Sequence, residues 1–320
     1  MSKLPFPGLG SFGSRLNSRL GEHTPLQAFL RRLPMYLILT AFALMYLEPV
    51  LYMISMSFKS ATDITDATAK WIPHNPTLTS MRFAFDAMDV WPVFLPDRGL
   101  GENLMRSKLF VSIVTTFVPA LTQVLTCAIA GYAFARLTFP CKRLLFVLLL
   151  LSYIIPPQTI FMPLTWVFRA LGVINNPMSF ILPAIFGGGL KGSLFIIIYM
   201  QFFKKLPAQL EEAAYIDGAS TYKVFFKVML PLAKPAMLTV FLFSMVWHWN
   251  ETYLTGLFYT RIGTLATALE AIELPENDYS MTLMAVKMAA ALIFVAPMLV
   301  IYLFTQRNFT ESIERTGIVE

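Results

Sequence analysis

The sequence predicts an all-α polytopic membrane protein with six transmembrane helices and both termini in the cytoplasm. Three observations carry that expectation. Apolar residues make up 56% of the 320 positions and charged residues only 14%, against about 25% charged in an ordinary soluble domain. The apolar residues gather in runs of roughly 20, the length needed to cross the hydrocarbon layer. Lysine and arginine, which give the chain a formal charge of +6, fall mostly between those runs, where they act as topology signals.

The elements follow in chain order. Residues 1–32 are polar, rich in Gly, Ser and Pro, and carry Arg15, Arg19, Arg31 and Arg32, which suits a cytoplasmic tail. The apolar run that follows, 33–58, is longer than the core of a cleavable signal and lacks a small-residue cleavage site, so it is expected to stay as an anchor. Further spans are expected at about 109–135, 144–164, 180–203, 235–258 and 280–305, making 33–305 one membrane domain, with 306–320 as a second cytoplasmic tail. Helices are expected throughout, because unpaired backbone cannot face lipid and barrel strands are much shorter. With the N-terminus inside, the cytoplasmic segments hold roughly 15 Lys and Arg against about 8 outside, and basic loops are retained in the cytoplasm. Residues 59–108 then form an external loop, rich in Pro, Asp and Trp, that could touch an outside partner.

The longest cytoplasmic loop, 204–234, holds the most informative stretch, Leu206 to Pro231. Pro207 suits the first position of a helix, Gly218 the left-handed residue that ends one, and Ser220 the cap of the next. The expectation is a short helix, a tight turn and a second helix. Leu210, Ala213 and Ala214 share a face at three- and four-residue spacing, with Glu211 and Glu212 beside it and Asp217 just before the turn. Pro231 and Pro235 bracket the return into the membrane. A lone Glu-Glu would be read as a solvated, solubilising face.

Here the spacing says more. Glu212-Ala213-Ala214, three residues, Gly218, nine residues, then Val228-Met229-Leu230-Pro231 resembles the loop that marks binding-protein-dependent importers of the ATP-binding-cassette class. Their pattern is Glu-Ala-Ala, Gly and Ile-x-Leu-Pro; Val228 in place of Ile removes one methylene and keeps the apolar role. From about Asn103 onward the chain is also similar to carbohydrate-uptake permeases, notably the smaller membrane subunit of the maltose-transporter type. Gly131 to Arg136, Ile155-Pro156-Pro157, Trp249-Asn250 and the C-terminal tail carry that likeness, over roughly two-thirds of the chain. The first hundred or so residues are not diagnostic.

The resemblance implies a multi-pass protein of a bacterial cytoplasmic membrane, working with a second membrane subunit, two ATPase subunits, an extracytoplasmic solute-binding protein and a sugar substrate. Glu211, Glu212, Ala213, Ala214, Asp217, Gly218, Leu230 and Pro231 would form the part that docks on an ATPase subunit, with Glu212 pairing with a basic residue there. ATP and magnesium would be bound by those partners, and no cofactor by this chain.

Charged residues inside spans are functional candidates by default. Glu48 and Lys191 could line a pathway or pair with neighbouring helices, and Lys287 has the same two readings. Lys191 follows Gly187-Gly188-Gly189, where a broken helix could expose backbone to a cavity. Trp247, Trp249, Asn250, Glu251 and Tyr253 combine flat apolar faces with hydrogen-bonding groups, as sugars require; an interfacial aromatic belt is the alternative. Asn175-Asn176-Pro177 reads as a turn, and Pro156, Pro157 and Pro163 as kinks.

Other chemistry finds little support. Gly8 to Gly13 matches a dinucleotide fingerprint formally, but no strand precedes it and no βαβ pattern follows. There is no Gly-Lys-Ser/Thr phosphate loop. His23, His74 and His248 lack metal-ligand spacing, Cys127 and Cys141 imply no disulfide framework, and the basic charge needs no nucleic acid. Within the transporter class, an acidic saccharide or polyol phosphate is the alternative cargo. An intramembrane enzyme or scaffold would need a catalytic cluster or another partner motif, and an ion-coupled carrier would need inverted repeats and midplane carboxylates, for which Glu48 is the main candidate.

Overall fold

The computed structural model describes residues 25–66, 68–156, 158–274 and 282–317, with side chains between 32 and 306. Most of the expected N-terminal tail, the Gly8 to Gly13 match, His23, Pro157 and the expected start of the last span at residue 280 lie outside the described residues. Among the described residues the chain is helical, with no strand. It divides into two units at Ser55/Met56.

The first unit is dominated by α1 (Pro25–Ser57), which carries Pro34 and Pro49 within it and an apolar stretch, Arg32–Ser57, long enough to cross a membrane. Glu48 lies in this helix immediately before Pro49.

The second unit begins with short helices α2 (Ala61–Thr65), α3 (Thr79–Ala87) and α4 (Leu100–Arg106). Side chains stitch this segment together: Lys59 Nζ donates to the Lys70 carbonyl at 3.0 Å, and Asp63 Oδ2 accepts from the Asn75 amide at 2.8 Å. Ser107 then caps α5 (Lys108–Arg136), the helix around which the rest is arranged. After it come α6 (Lys142–Ile154), α7 (Gln158–Ala170), α8 (Met178–Ile185), α9 (Gly192–Lys205), α10 (Gln209–Ile216), α11 (Thr221–Leu232), α12 (Lys234–Trp249), α13 (Tyr253–Phe258), α14 (Leu265–Glu270) and α15 (Leu283–Gly317).

Breaks replace continuity at several expected spans. The 180–203 run is split into α8 and α9 by residues 186–191; the 144–164 run stops at Ile154 and resumes at Gln158; the 235–258 run stops at Trp249 and resumes at Tyr253. Among the described residues the helices long and apolar enough to span are α1, α5 and Leu283–Gln306 of α15, or up to five if the bent pairs α6–α7 and α11–α12 each count as one. Hydropathy averages over a window and cannot see a proline or glycine break inside it. At the C-terminus α15 runs on to Gly317, so most of the expected tail continues a helix.

Close helix contact at the centre depends on one glycine. A Cβ on Gly131 of α5 would stand 2.5 Å from Tyr199 Cβ and 3.0 Å from the Ile196 carbonyl of α9. Only a residue without a side chain lets these backbones touch. Around that contact Cys127, Ala128, Tyr132, Tyr199, Phe203, Val224, Phe225 and Met229 form a buried core joining α5, α9 and α11. A second core sets Trp249 against α3, α14 and α15; a third packs Phe161, Phe168, Phe180 and Phe258.

Side chains of α5 pin the non-helical stretch between α8 and α9 at both ends, one at the last turn of α8 and one at Leu190. Gln123 Nε2 donates to the Leu190 carbonyl at 3.1 Å, and Thr126 Oγ1 to the Ala184 carbonyl at 2.9 Å. Gly187 has φ +72°, and a Cβ on Gly192 would collide with the Gly187 carbonyl.

Candidate functional site

The expected helix, turn and helix are present between α9 and α12. The first helix starts at Gln209, two residues after Pro207, with Ala208 in helical conformation ahead of it. Its end is a Schellman motif: the Ala219 amide bonds the Ala214 carbonyl and the Gly218 amide bonds the Tyr215 carbonyl, both at 3.0 Å. That arrangement requires a left-handed residue, and Gly218 supplies it at φ +77°. Ser220 accepts from the Lys223 amide at 3.5 Å and caps α11. Within α11, Phe225–Met229 widen into a π-turn, a feature that repeats of three or four residues do not reveal. The chain then bends by 75° into α12 at Ala233, where Pro231 and Pro235 were expected to mark the return.

The hairpin separates its two glutamates. Glu211 turns inward, where its Oε2 lies 3.6 Å from Nε of Arg136, the last residue of α5; the two side chains are 11% and 16% exposed. Arg136 Nη2 also donates to the Leu206 carbonyl at the end of α9. One guanidinium therefore holds both the entry to the hairpin and its first helix. Glu212, one residue on and about 100° round the helix, is exposed. Ala213 and Asp217 are exposed as well, Ala214 is partly buried against the core, Leu230 is half-buried and Pro231 exposed. The expected apolar face of Leu210, Ala213 and Ala214 is thus divided between core and surface.

Two residues outside that expected set dominate the hairpin's surface. Ile216 is 85% exposed and Tyr222 80%, one on each side of the Gly218 turn. Apolar side chains so exposed in a polar loop mark a contact surface, and their polar neighbours were the signal that could have found them.

Aromatic rings tie the hairpin to the bundle. Tyr132 of α5 lies 5.0 Å from Phe225 of α11 and 5.5 Å from Phe203 of α9, centroid to centroid. Phe203 stacks in turn on Tyr199 at 6.1 Å. Phe225 is nearly fully buried and Phe203 completely so, and close-packed interiors transmit displacement rather than absorb it.

The remaining candidates are dispersed. Lys191 Nζ lies 5.8 Å over the Trp247 ring, which also faces Phe195 and Phe243. Trp249 points away: only 3% exposed, it donates from Nε1 to the Phe294 carbonyl at 3.2 Å and packs on the Phe294 ring. Glu251 Oε1 accepts the Leu254 amide at 2.7 Å and so secures the start of α13. Asn250 Nδ2 donates to the Val246 carbonyl, and Tyr253 is exposed beside Phe161. The segment 247–253 was expected near mid-span, but it sits where α12 ends, and each residue there takes its own direction. Lys287 is half-buried on α15.

A buried polar chain absent from the expectations joins the α8–α9 break to α12. Gln123, which bonds the Leu190 carbonyl, accepts from Ser244 Oγ at 2.6 Å, and His248 Nδ1 donates to the Ser244 carbonyl at 2.8 Å. Asn175, expected only as part of a turn, takes φ +58° and its Oδ1 receives the Thr260 and Arg261 amides at 2.7 and 2.8 Å.

Residues 123–315 match the family described as "Binding-protein-dependent transport system inner membrane component". A trehalose transport system permease protein of Mycobacterium tuberculosis is 30% identical over 83% of this chain and 90% of its own length. A sulfoquinovosyl glycerol transport system permease protein of Agrobacterium fabrum is 26% identical over 85% and 88%. Among solved structures, a bacterial ABC transporter involved in the import of the acidic polysaccharide alginate has a chain that superposes with a TM-score of 0.68 at 20% identity, covering 90% of this chain and 99% of that one.

Proposed function

The chain belongs to the family of binding-protein-dependent transport system inner membrane components, and from that membership we propose that it is the membrane subunit of an ATP-driven importer of a sugar or oligosaccharide. The observation that carries this reading is the hairpin α10–α11. It exposes Glu212, Ile216 and Tyr222 to a partner, while Arg136 and the Tyr132–Phe203–Phe225 cluster hold it rigidly to the bundle.

The mechanism is mechanical. An ATPase subunit receives the exposed face, with Glu212 beside a basic residue. When two such subunits close around ATP the hairpin moves, and the buried aromatic contacts carry that motion into α5 and α9. Through α11 the same displacement reaches α12, and the Gln123–Ser244 bond passes it to the break between α8 and α9. Reorienting these helices switches the opening of the pathway. The crossings are then α1, α5, the bent pair α6–α7, the broken pair α8–α9, α12 entered from α11, and α15, with the hairpin and both termini in the cytoplasm of a bacterial-type cell. A second membrane subunit and an extracytoplasmic binding protein complete the assembly.

Relatives named for trehalose and sulfoquinovosyl glycerol transport support a carbohydrate cargo. A second reading, an acidic saccharide, is favoured by Lys191 over Trp247, since an aromatic face beside a cation suits a sugar ring bearing a negative charge. A tagged chain expressed with its genomic neighbours is expected to bring down an ATPase and a binding protein, and calorimetry on that binding protein distinguishes neutral from acidic sugars. Solute uptake that persists without nucleotide hydrolysis would overturn the proposal.

A further inference from the structure

Beside the hairpin, the end of α5, the loop to α6, the first turn of α6 and the last turns of α9 enclose an open cleft of about 600 Å³. One wall is apolar: Phe134, Phe146 and Met200, with Phe134 lying 5.7 Å from Phe139 and 6.0 Å from Phe146. The other is cationic, formed by Lys142, Arg143 and Lys204, and no acidic side chain lines the cleft. Arg143 and Lys204 are exposed and make no ion pair among the described residues. Lys142 Nζ donates to the Leu137 carbonyl at 2.7 Å and lies 5.7 Å over the Phe139 ring.

The local backbone adds to the positive potential. α6 starts after Cys141, a left-handed residue at φ +57° that makes no side-chain cap, and its first turn holds no acid. The amides of that turn therefore lack both intrahelical partners and a capping oxygen.

Position identifies the occupant. The apolar run of α5 ends at Arg136 and that of α6 begins at Leu144, so the loop between them lies at the edge of the hydrocarbon layer, where lipid phosphates are found. A free anion would have no use for three phenylalanines and a methionine. We propose that this cleft binds an anionic phospholipid, its phosphate held by Lys142, Arg143 and Lys204 and an acyl chain lying against Phe134, Phe146 and Met200. Basic pockets between membrane helices recognise such headgroups generally. The proposal concerns lipid binding alone and stands apart from the import reading.

The test uses the full chain purified in detergent and titrated with phosphatidylglycerol or phosphatidylcholine, with bound lipid counted by native mass spectrometry. The wild type is expected to retain phosphatidylglycerol preferentially, and each cation removed to lower the preference about fivefold. Arg143→Gln with Lys204→Gln touches only exposed side chains and keeps the Lys142 bond, so it reports on binding in a folded chain. Arg169→Gln, an exposed cation away from the cleft, is expected to change nothing. Photoactivatable phosphatidylglycerol should crosslink at or beside Phe134 and Phe146. Unchanged preference in the double variant overturns the proposal. So does displacement of the lipid by millimolar inorganic phosphate, which would mark a small-anion site.

Discussion

Glu211 and Arg136 lie 3.6 Å apart at the junction of α5, α9 and α10, so of two adjacent glutamates one belongs to the bundle and the other to the surface. The pair is mostly buried, and removing one partner of a buried pair leaves an uncompensated charge. With both side chains still slightly exposed, Arg136→Leu or Glu211→Gln is expected to destabilise the chain by roughly 1–3 kcal/mol. A double-mutant cycle on thermal stability should show a favourable coupling, whereas Glu212→Gln should leave stability unchanged and reduce only partner binding. Equal loss of stability at 211 and 212 would contradict the division.

The turn at Gly218 makes a different prediction, because a Cβ there meets nothing within 4 Å. Only the backbone resists substitution, and the left-handed region costs an L-residue roughly 1–2 kcal/mol. Uptake is expected to fall in the order Gly, Asn, Ala, Val, since Asn tolerates this conformation and β-branched residues do not. A Gly218→Val variant that transports normally would show that the Schellman turn is dispensable.

Gly131 fails for the opposite reason. Its φ is unremarkable, but a methyl group would press on Tyr199 Cβ and on the backbone of Ile196 and Met200. No rotamer change relieves a clash with backbone, so Gly131→Ala should lower the yield of folded protein in detergent sharply. Gly101→Ala, with open space around it, serves as the control. Indistinguishable yields would mean that α5 and α9 do not meet this closely.

Gln123 offers a test of the route from hairpin to α8–α9 break. Gln123→Leu removes the partner of the Leu190 carbonyl and the shorter of two contacts of the Ser244 hydroxyl, which keeps His248 Nδ1 at 3.3 Å, and a buried group left unsatisfied costs about 1–3 kcal/mol. Ser244→Ala leaves the Leu190 carbonyl bonded and should be milder. In the assembled importer both variants are expected to raise the amount of ATP hydrolysed per solute moved. An unchanged ratio would confine Gln123 to a structural part.

Local signals in the sequence were enough to find the hairpin. Gly218 and Ser220 each act within a few residues of themselves, so the turn and the cap could be read before any packing was known. The inward and outward glutamates could not: Glu211 and Glu212 are chemically identical, and only the arrival of Arg136 from 75 residues away tells them apart. Arg136 itself was legible as the basic residue just past the expected span 109–135. Its reach to the Leu206 carbonyl depends on how closely α5 and α9 approach, which Gly131 permits.

The spans divide in the same manner. For α5, apolar length alone located the helix to within a residue at each end. Where prolines and glycines interrupt an apolar run, as at Ile155-Pro156 or Gly187-Gly188-Gly189, the average composition stayed that of a span while the backbone turned aside. Trp247, Trp249 and Asn250 are neighbours in the chain, yet Trp247 meets Lys191, Trp249 enters the core beside Phe294, and Asn250 caps its own helix.

By itself the sequence determined the solvent for which this chain is written, the helical class and the position of the hairpin, because apolar length and turn chemistry are properties of neighbouring residues. Tertiary structure alone decided which glutamate is tied down, where the helices break and which aromatic faces which partner. Those outcomes depend on groups distant in the chain meeting in space, and no local pattern contains that information.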